Sequence, residues 1–225
     1  SKTLVTSSGY LEKSVITKRW EIRGLVLVWN VSTGKLKKEI PMAEQAISTT
    51  FMTDGKKVIF GYHIGGNSAR IYDIDSGKLT LSLLYEKPFT RECGIVYSLK
   101  GRYLLTHGYF PGRKEQRQPI RIWTTSPWEY ATKPIETDFG VSSVAFSRDE
   151  RLMLSFGFRG KLVVRDTKTW KVISSKQLEK PAKAYIWGNF FNHGRYLRVV
   201  TPKGRIKKIW DLSKYLEELQ KTVKK

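Results

Sequence analysis

Apolar and polar residues alternate along this chain in short runs broken by Gly, Asp, Ser and Lys, which is the period of half-buried strands rather than of helices. One run recurs five times: VWNVSTGKL (28–36), IYDIDSGKL (71–79), IWTTSPWEY (122–130), VRDTKTWKV (164–172) and IWDLSKYLE (209–217). Aligned on Trp29, Tyr72, Trp123, Arg165 and Trp210, the copies are 43, 51, 42 and 45 residues apart. One and three positions before each anchor stand Val28 and Val26, Ile71 and Ala69, Ile122 and Ile120, Val164 and Leu162, Ile209 and Lys207. The position between them varies freely, from Leu27 to Arg70, Arg121, Val163 and Lys208. Only Lys207 departs from the apolar pattern. The STGK and DSGK segments that follow two of the anchors read as turns, with Gly34 and Gly77 supplying a positive φ that other residues resist.

A second pattern interleaves with the first: FMTDGKKVIFGY (51–62), YSLKGRYLLTHGY (97–109), FSRDERLMLSFGF (146–158) and FFNHGRYLRVV (190–200). Its anchors Phe51, Tyr97, Phe146 and Phe191 are 46, 49 and 45 residues apart, the same period again. Each copy predicts two strands joined at DGKK, KGR, DER or HGR. Runs such as KLKKEI (35–40) and LTLSLLY (79–85) supply a fourth strand per period. Four strands per repeat, ending in an aromatic-Asp pair and then Ser/Thr-Gly-Lys, resemble the WD-repeat β-propeller family over nearly the whole chain. The literal pair occurs at Trp210-Asp211, with Trp29-Asn30, Tyr72-Asp73 and Arg165-Asp166 as degenerate versions. The Gly-His pair and the turn Asp of that family's structural tetrad are missing, so the expectation is the architecture rather than the typical subfamily. An all-β sandwich would account for the strands but not for the period.

The resemblance implies an all-β fold, a β-propeller section of about four and a half four-stranded WD-like blades with units ending near residues 40, 85, 137, 179 and 215. Residues 1–212 form the propeller arc in this reading, and 213–225 a basic helical tail with Leu216, Leu219 and Val223 at helical spacing. KTLVTSSGY (2–10) matches only the second half of the second pattern, so the chain is expected to be the later part of a longer propeller. The missing blades would lie upstream or on another chain; a closed five-bladed ring is the alternative.

Charge adds a partner class. The 225 residues carry 41 Lys+Arg against 20 Asp+Glu, a net charge of +21, of which 17 basic and 5 acidic residues fall in 160–225. Apolar residues make up 40%, enough for a core, and no run approaches the roughly 20 apolar residues of a membrane-spanning helix. The single Cys93 excludes an internal disulfide and a cysteine zinc site, and an intracellular location in cytoplasm or nucleus is expected. Two loops, 11–24 and 110–119, are read as insertions on one rim. They hold Lys18, Arg19, Trp20 and Arg23, and Arg113, Lys114 and Arg117; Arg159, Lys203 and Arg205 occupy corresponding turns later in the chain. Guanidinium groups suit phosphates and an indole suits a base, so these ten residues are the candidate partner or nucleic-acid contacts, against a solvated rim as the plain reading.

Catalytic and metal signatures are poor. His63, His107 and His193 have no paired spacing, and Asp73-Ile74-Asp75 starts a calcium-like loop that lacks its closing Glu at Leu84. The expectation is therefore a protein that is not an enzyme and takes no cofactor or metal. It would be an interaction scaffold organising a protein or ribonucleoprotein assembly, with RNA or DNA met through phosphates and membranes not among its partners. A sensory or regulatory domain of a larger signalling protein is the alternative.

Overall fold

The computed structural model describes residues 3–13, 20–42, 45–62, 67–84, 93–108, 119–137, 140–179, 186–201 and 203–223. The described chain is all-β apart from one helix. The first sheet holds β1 (Thr3–Lys13), β2 (Trp20–Asn30) and β3 (Leu36–Met42) in chain order. The second holds β4 (Ala46–Phe51), β5 (Lys57–Tyr62), β6 (Asn67–Asp73) and β7 (Leu79–Leu84). The third holds β8 (Cys93–Tyr97), β9 (Tyr103–Gly108), β10 (Arg121–Thr125) and β11 (Trp128–Tyr130). The fourth holds β12 (Val141–Phe146), β13 (Leu152–Gly157), β14 (Lys161–Asp166) and β15 (Val172–Gln177). The last holds β16 (Trp187–Phe191), β17 (Tyr196–Val200) and β18 (Ile206–Asp211), followed by α1 (Ser213–Val223). Sequence neighbours pair in every sheet, an up-and-down order compatible with a propeller-like fold, and no sheet closes on itself among the described residues. The chain divides into two compact units, Ser1–Tyr97 with Leu105–Phe110, and Ser98–Leu104 with Pro111–Lys225.

The repeated sequence pattern has a local cause. The residue after each anchor closes the turn that follows it: Asn30 Oδ1 accepts from the Ser32 amide at 2.9 Å, and Asp73 from Ser76 at 2.8 Å. Asp166 accepts from Lys168 at 2.9 Å and Asp211 from Ser213 at 2.9 Å. A short acceptor side chain at this position bends the backbone without help from tertiary contacts, so it recurs at the ends of β2, β6, β14 and β18. Gly34 and Gly77 then take φ of +66° and +71°, as the turn reading requires. The third unit departs: Thr124 follows Trp123, and its hydroxyl donates to the Pro127 carbonyl at 2.6 Å across a cis Ser126–Pro127 bond.

One sequence expectation is corrected here. Residues 11–13 and 20–24 of the segment read as a loop are strand: β1 and β2 pair without interruption from Thr3↔Asn30 out to Lys13↔Trp20, and residues 14–19 lie outside the described residues. Alternation in YLEK and WEIR suits this pairing, so Trp20 and Arg23 stand on a strand.

Within the first unit, Val26, Val28, Ile40 and Met42 of one sheet close against Ala46, Val58, Phe60 and Tyr62 of the next. Within the second unit, Leu152, Leu154, Phe156, Leu162 and Val164 meet Ile186, Leu197 and Val199, with Leu212 and Leu216 from the helical end. The helix is tied down by Tyr215, whose hydroxyl lies 2.6 Å from Ser174 Oγ, and by Gln220, which donates to Asp149 Oδ2 at 3.1 Å. Small residues let the sheets approach. Gly188 donates its amide to Ser142 Oγ at 3.1 Å, and Phe190 to Ser143 Oγ at 3.3 Å.

The β12–β13 turn carries a buried acid. Glu150 is fully buried at φ +61° and accepts from Arg102 Nε at 2.7 Å and from the Lys100 amide. Its own carbonyl accepts from Thr167 Oγ1 at 2.7 Å. Replacing Glu150 by Ala strands the Lys100 amide and the Arg102 guanidinium together. We expect a loss of about 2 kcal/mol, tempered by the exposure of Arg102, in urea unfolding. A loss below about 0.5 kcal/mol, the range of ordinary surface substitutions, would contradict a structural role for this carboxylate.

Candidate functional site

The last sheet has two unlike faces. The register places Gly188, Leu197, Val199 and Trp210 on the side that packs against β12–β15. The other side carries the paired sets Trp187↔Val200↔Ile206 and Asn189↔Arg198↔Ile209. An open groove of about 400 Å³ lies on this second side, lined by Trp187, Asn189, Arg198, Val200, Thr201, Gly204 and Ile206. Trp187 is 39% exposed, Ile206 58%, Ile209 52% and nearby Phe191 43%, an unusual density of large apolar groups in solvent. Phe158, itself buried, packs perpendicular to the Trp187 indole at 6.3 Å between centroids and so holds the ring's tilt.

Cations flank the groove. Lys203 and Arg205 are exposed in the β17–β18 turn, which Thr201 and Gly204 connect to the groove. The turn is held by the Gly204 amide on the Thr201 carbonyl and the Thr201 amide on the Arg205 carbonyl, both 2.9 Å. Two neighbouring cations on β18, Lys207 and Lys208, serve structure instead. Lys207 donates to Glu179 Oε2 at 2.6 Å, where the Trp210 indole N–H also donates to Oε1 at 3.2 Å, and Lys208 sits 3.6 Å over the Trp210 ring. Buried Glu179 thus explains why a lysine interrupts the apolar pattern at 207. The groove lining contains no acid.

The structure gathers few of the residues singled out from sequence. Lys203 and Arg205 share one turn at the groove. Arg159 is exposed in the corresponding β13–β14 turn, its carbonyl accepting from Gln177 at 2.7 Å. Arg23 is partly buried on β2, opposite Tyr10. Trp20 is described by its backbone alone, and Lys18, Arg19, Arg113, Lys114 and Arg117 lie outside the described residues. Sequence reasoning passed over Trp187, Asn189 and Arg198. Their signal was the alternation in WGNFF and YLRVV, which places Trp187 and Asn189 on one face; the anchors Phe146 and Phe191 set Arg198 against Met153, and only the pairings Leu154↔Val164 and Arg198↔Ile209 make it the equivalent of Leu154.

Among the described residues no cluster of His, Cys, Asp or Glu is built to hold a metal. No helix there is long and apolar enough to cross a membrane. No family model and no curated protein matches this sequence. Solved structures do: the chain superposes on one titled Kuenenia stuttgartiensis hydrazine synthase with a TM-score of 0.68 at 14% identity, covering 88% of this chain. It spans 63% of that chain's length. The expectation that the protein is not an enzyme is corrected on this point, because that neighbour is an enzyme. At this identity the likeness concerns the fold and assigns no reaction, since one fold carries many functions.

Proposed function

We propose that the chain is a WD-like propeller module serving as an interaction scaffold, with β1–β3 through β16–β18 as its blades. Its partners are the proteins and the nucleic acid of a ribonucleoprotein assembly. The observation that carries this reading is the groove on the last sheet, where large apolar side chains stand in solvent beside Arg198, Lys203 and Arg205 without a lining acid. A net charge of +21 adds long-range attraction to polyanions, which speeds encounter more than it selects a partner.

The reading is tested with labelled single- and double-stranded RNA and DNA from low to high salt. Binding through three groove cations predicts a log–log salt slope near −2 for a single strand, at about −0.7 per neutralised phosphate. No binding of any nucleic acid at low salt would remove the ribonucleoprotein reading.

A further inference from the structure

We propose that the groove on β16–β18 is a nucleotide-sized subsite for single-stranded nucleic acid. A base stacks on Trp187, and the flanking phosphates are held by Arg198, Lys203 and Arg205. The inference rests on the ribonucleoprotein reading above and narrows it to one site and one strandedness.

The repeat decides what kind of occupant this face accepts. In the preceding sheet the pairs Leu154↔Val164 and Phe156↔Leu162 occupy the equivalent positions, all of them 0% exposed in the core shared with β16–β18. The last sheet places Arg198↔Ile209 and Val200↔Ile206 there. Leu154 has become Arg198, in the middle of the face. Covering it with another apolar sheet would bury an unpaired guanidinium and the Asn189 amide, at a cost of several kcal/mol. An anionic ligand reverses that sign, because phosphate gives guanidinium a bidentate acceptor. The aromatic part of the same ligand explains why an indole, tilted by Phe158, is left 39% exposed beside it. A groove of about 400 Å³ is of nucleotide rather than helix dimensions, and a duplex hides the base faces that Trp187 would meet.

The test is fluorescence anisotropy with a labelled uridine dodecamer, its deoxythymidine counterpart and an RNA duplex, on the whole chain. Near-ultraviolet circular dichroism and the melting midpoint confirm the fold of each variant. Trp187→Ala is expected to weaken single-strand binding about tenfold with the salt slope unchanged, while Trp187→Phe restores most of it. Arg198→Gln is expected to flatten the slope by about 0.7, and Lys133→Gln, an exposed cation away from the groove, to leave the groove variants' pattern untouched. RNA over DNA preference would name the source; equal binding keeps the subsite and assigns it to bases and phosphates alone. Single-strand binding that survives both Trp187→Ala and Arg198→Gln overturns the subsite and leaves the scaffold reading in place. Absence of binding to every probe overturns both. Concentration-dependent self-association abolished by Ile209→Glu, without nucleic-acid binding, would assign the face to a second copy and also overturn the proposal.

Discussion

Replacing Gly188 by Val should destabilise the protein by about 3 kcal/mol, at the upper end of overpacking costs. A Cβ on Gly188 would lie 2.9 Å from Phe156 Cε1 and 3.0 Å from Cγ, and nearer still to Cδ1. Phe156 cannot yield, because it is 0% exposed in the core with Leu152, Leu154 and Leu162. Nor can β16 retreat without breaking the amide bonds from Gly188 and Phe190 to Ser142 and Ser143. Gly34→Ala is the comparison: it meets a backbone constraint, φ +66°, but open space around it, and should cost only about 1 kcal/mol. Shrinking the obstacle should recover part of the loss, so Gly188→Val combined with Phe156→Leu is expected to be more stable than the sum of the two changes. Urea midpoints read all of these. Additivity in the double variant would mean that the clash is not the cause.

The second large effect is a loss of stability in mild acid. His107 lies on β9 over Gly94 of β8, where a Cβ would come within 2.6 Å of its Cε1. The ring is partly buried, and its Nδ1 is enclosed without a hydrogen-bond partner. Desolvation pulls its pKa down from 6.5 to about 4. Between those values the unfolded chain binds a proton that the folded chain refuses. The stability is therefore complete above about pH 6.5 and falls as the pH drops toward 4, by up to about 3 kcal/mol from this residue. His107→Gln removes the titration, so its stability should stay level between about pH 6.5 and pH 5, above the range where most carboxylates titrate. A parallel decline in the two proteins over that interval would sink the assignment to His107.

These two sites show the limit of reading by pattern. Alternation correctly separates the faces of β13 or β17, and Asn30, Asp73, Asp166 and Asp211 mark where strands end because each acts on its own neighbouring amides. The alternation in 10–13 and 20–23 belongs to paired strands although it reads as part of a loop, since a long pairing shows only in partners such as Lys13 and Trp20. Gly188 and His107 look ordinary in sequence. What makes them sensitive, the ring of Phe156 and the bare backbone of Gly94, comes from other strands.

The all-β class, the repeat period and the turn chemistry are consequences of local backbone preference, and the amino-acid order is sufficient for them. Which face of each sheet is covered is a different kind of fact. A period of two distinguishes two faces without saying which one finds a partner, and bulges such as that between Val199 and Val200 change the match on the neighbouring strand. Packing made Leu154 core and left its equivalent, Arg198, facing the groove beside Trp187. The charge of +21 is visible in the sequence; that Arg198 stands beside Trp187 at an open groove follows from how the strands pair.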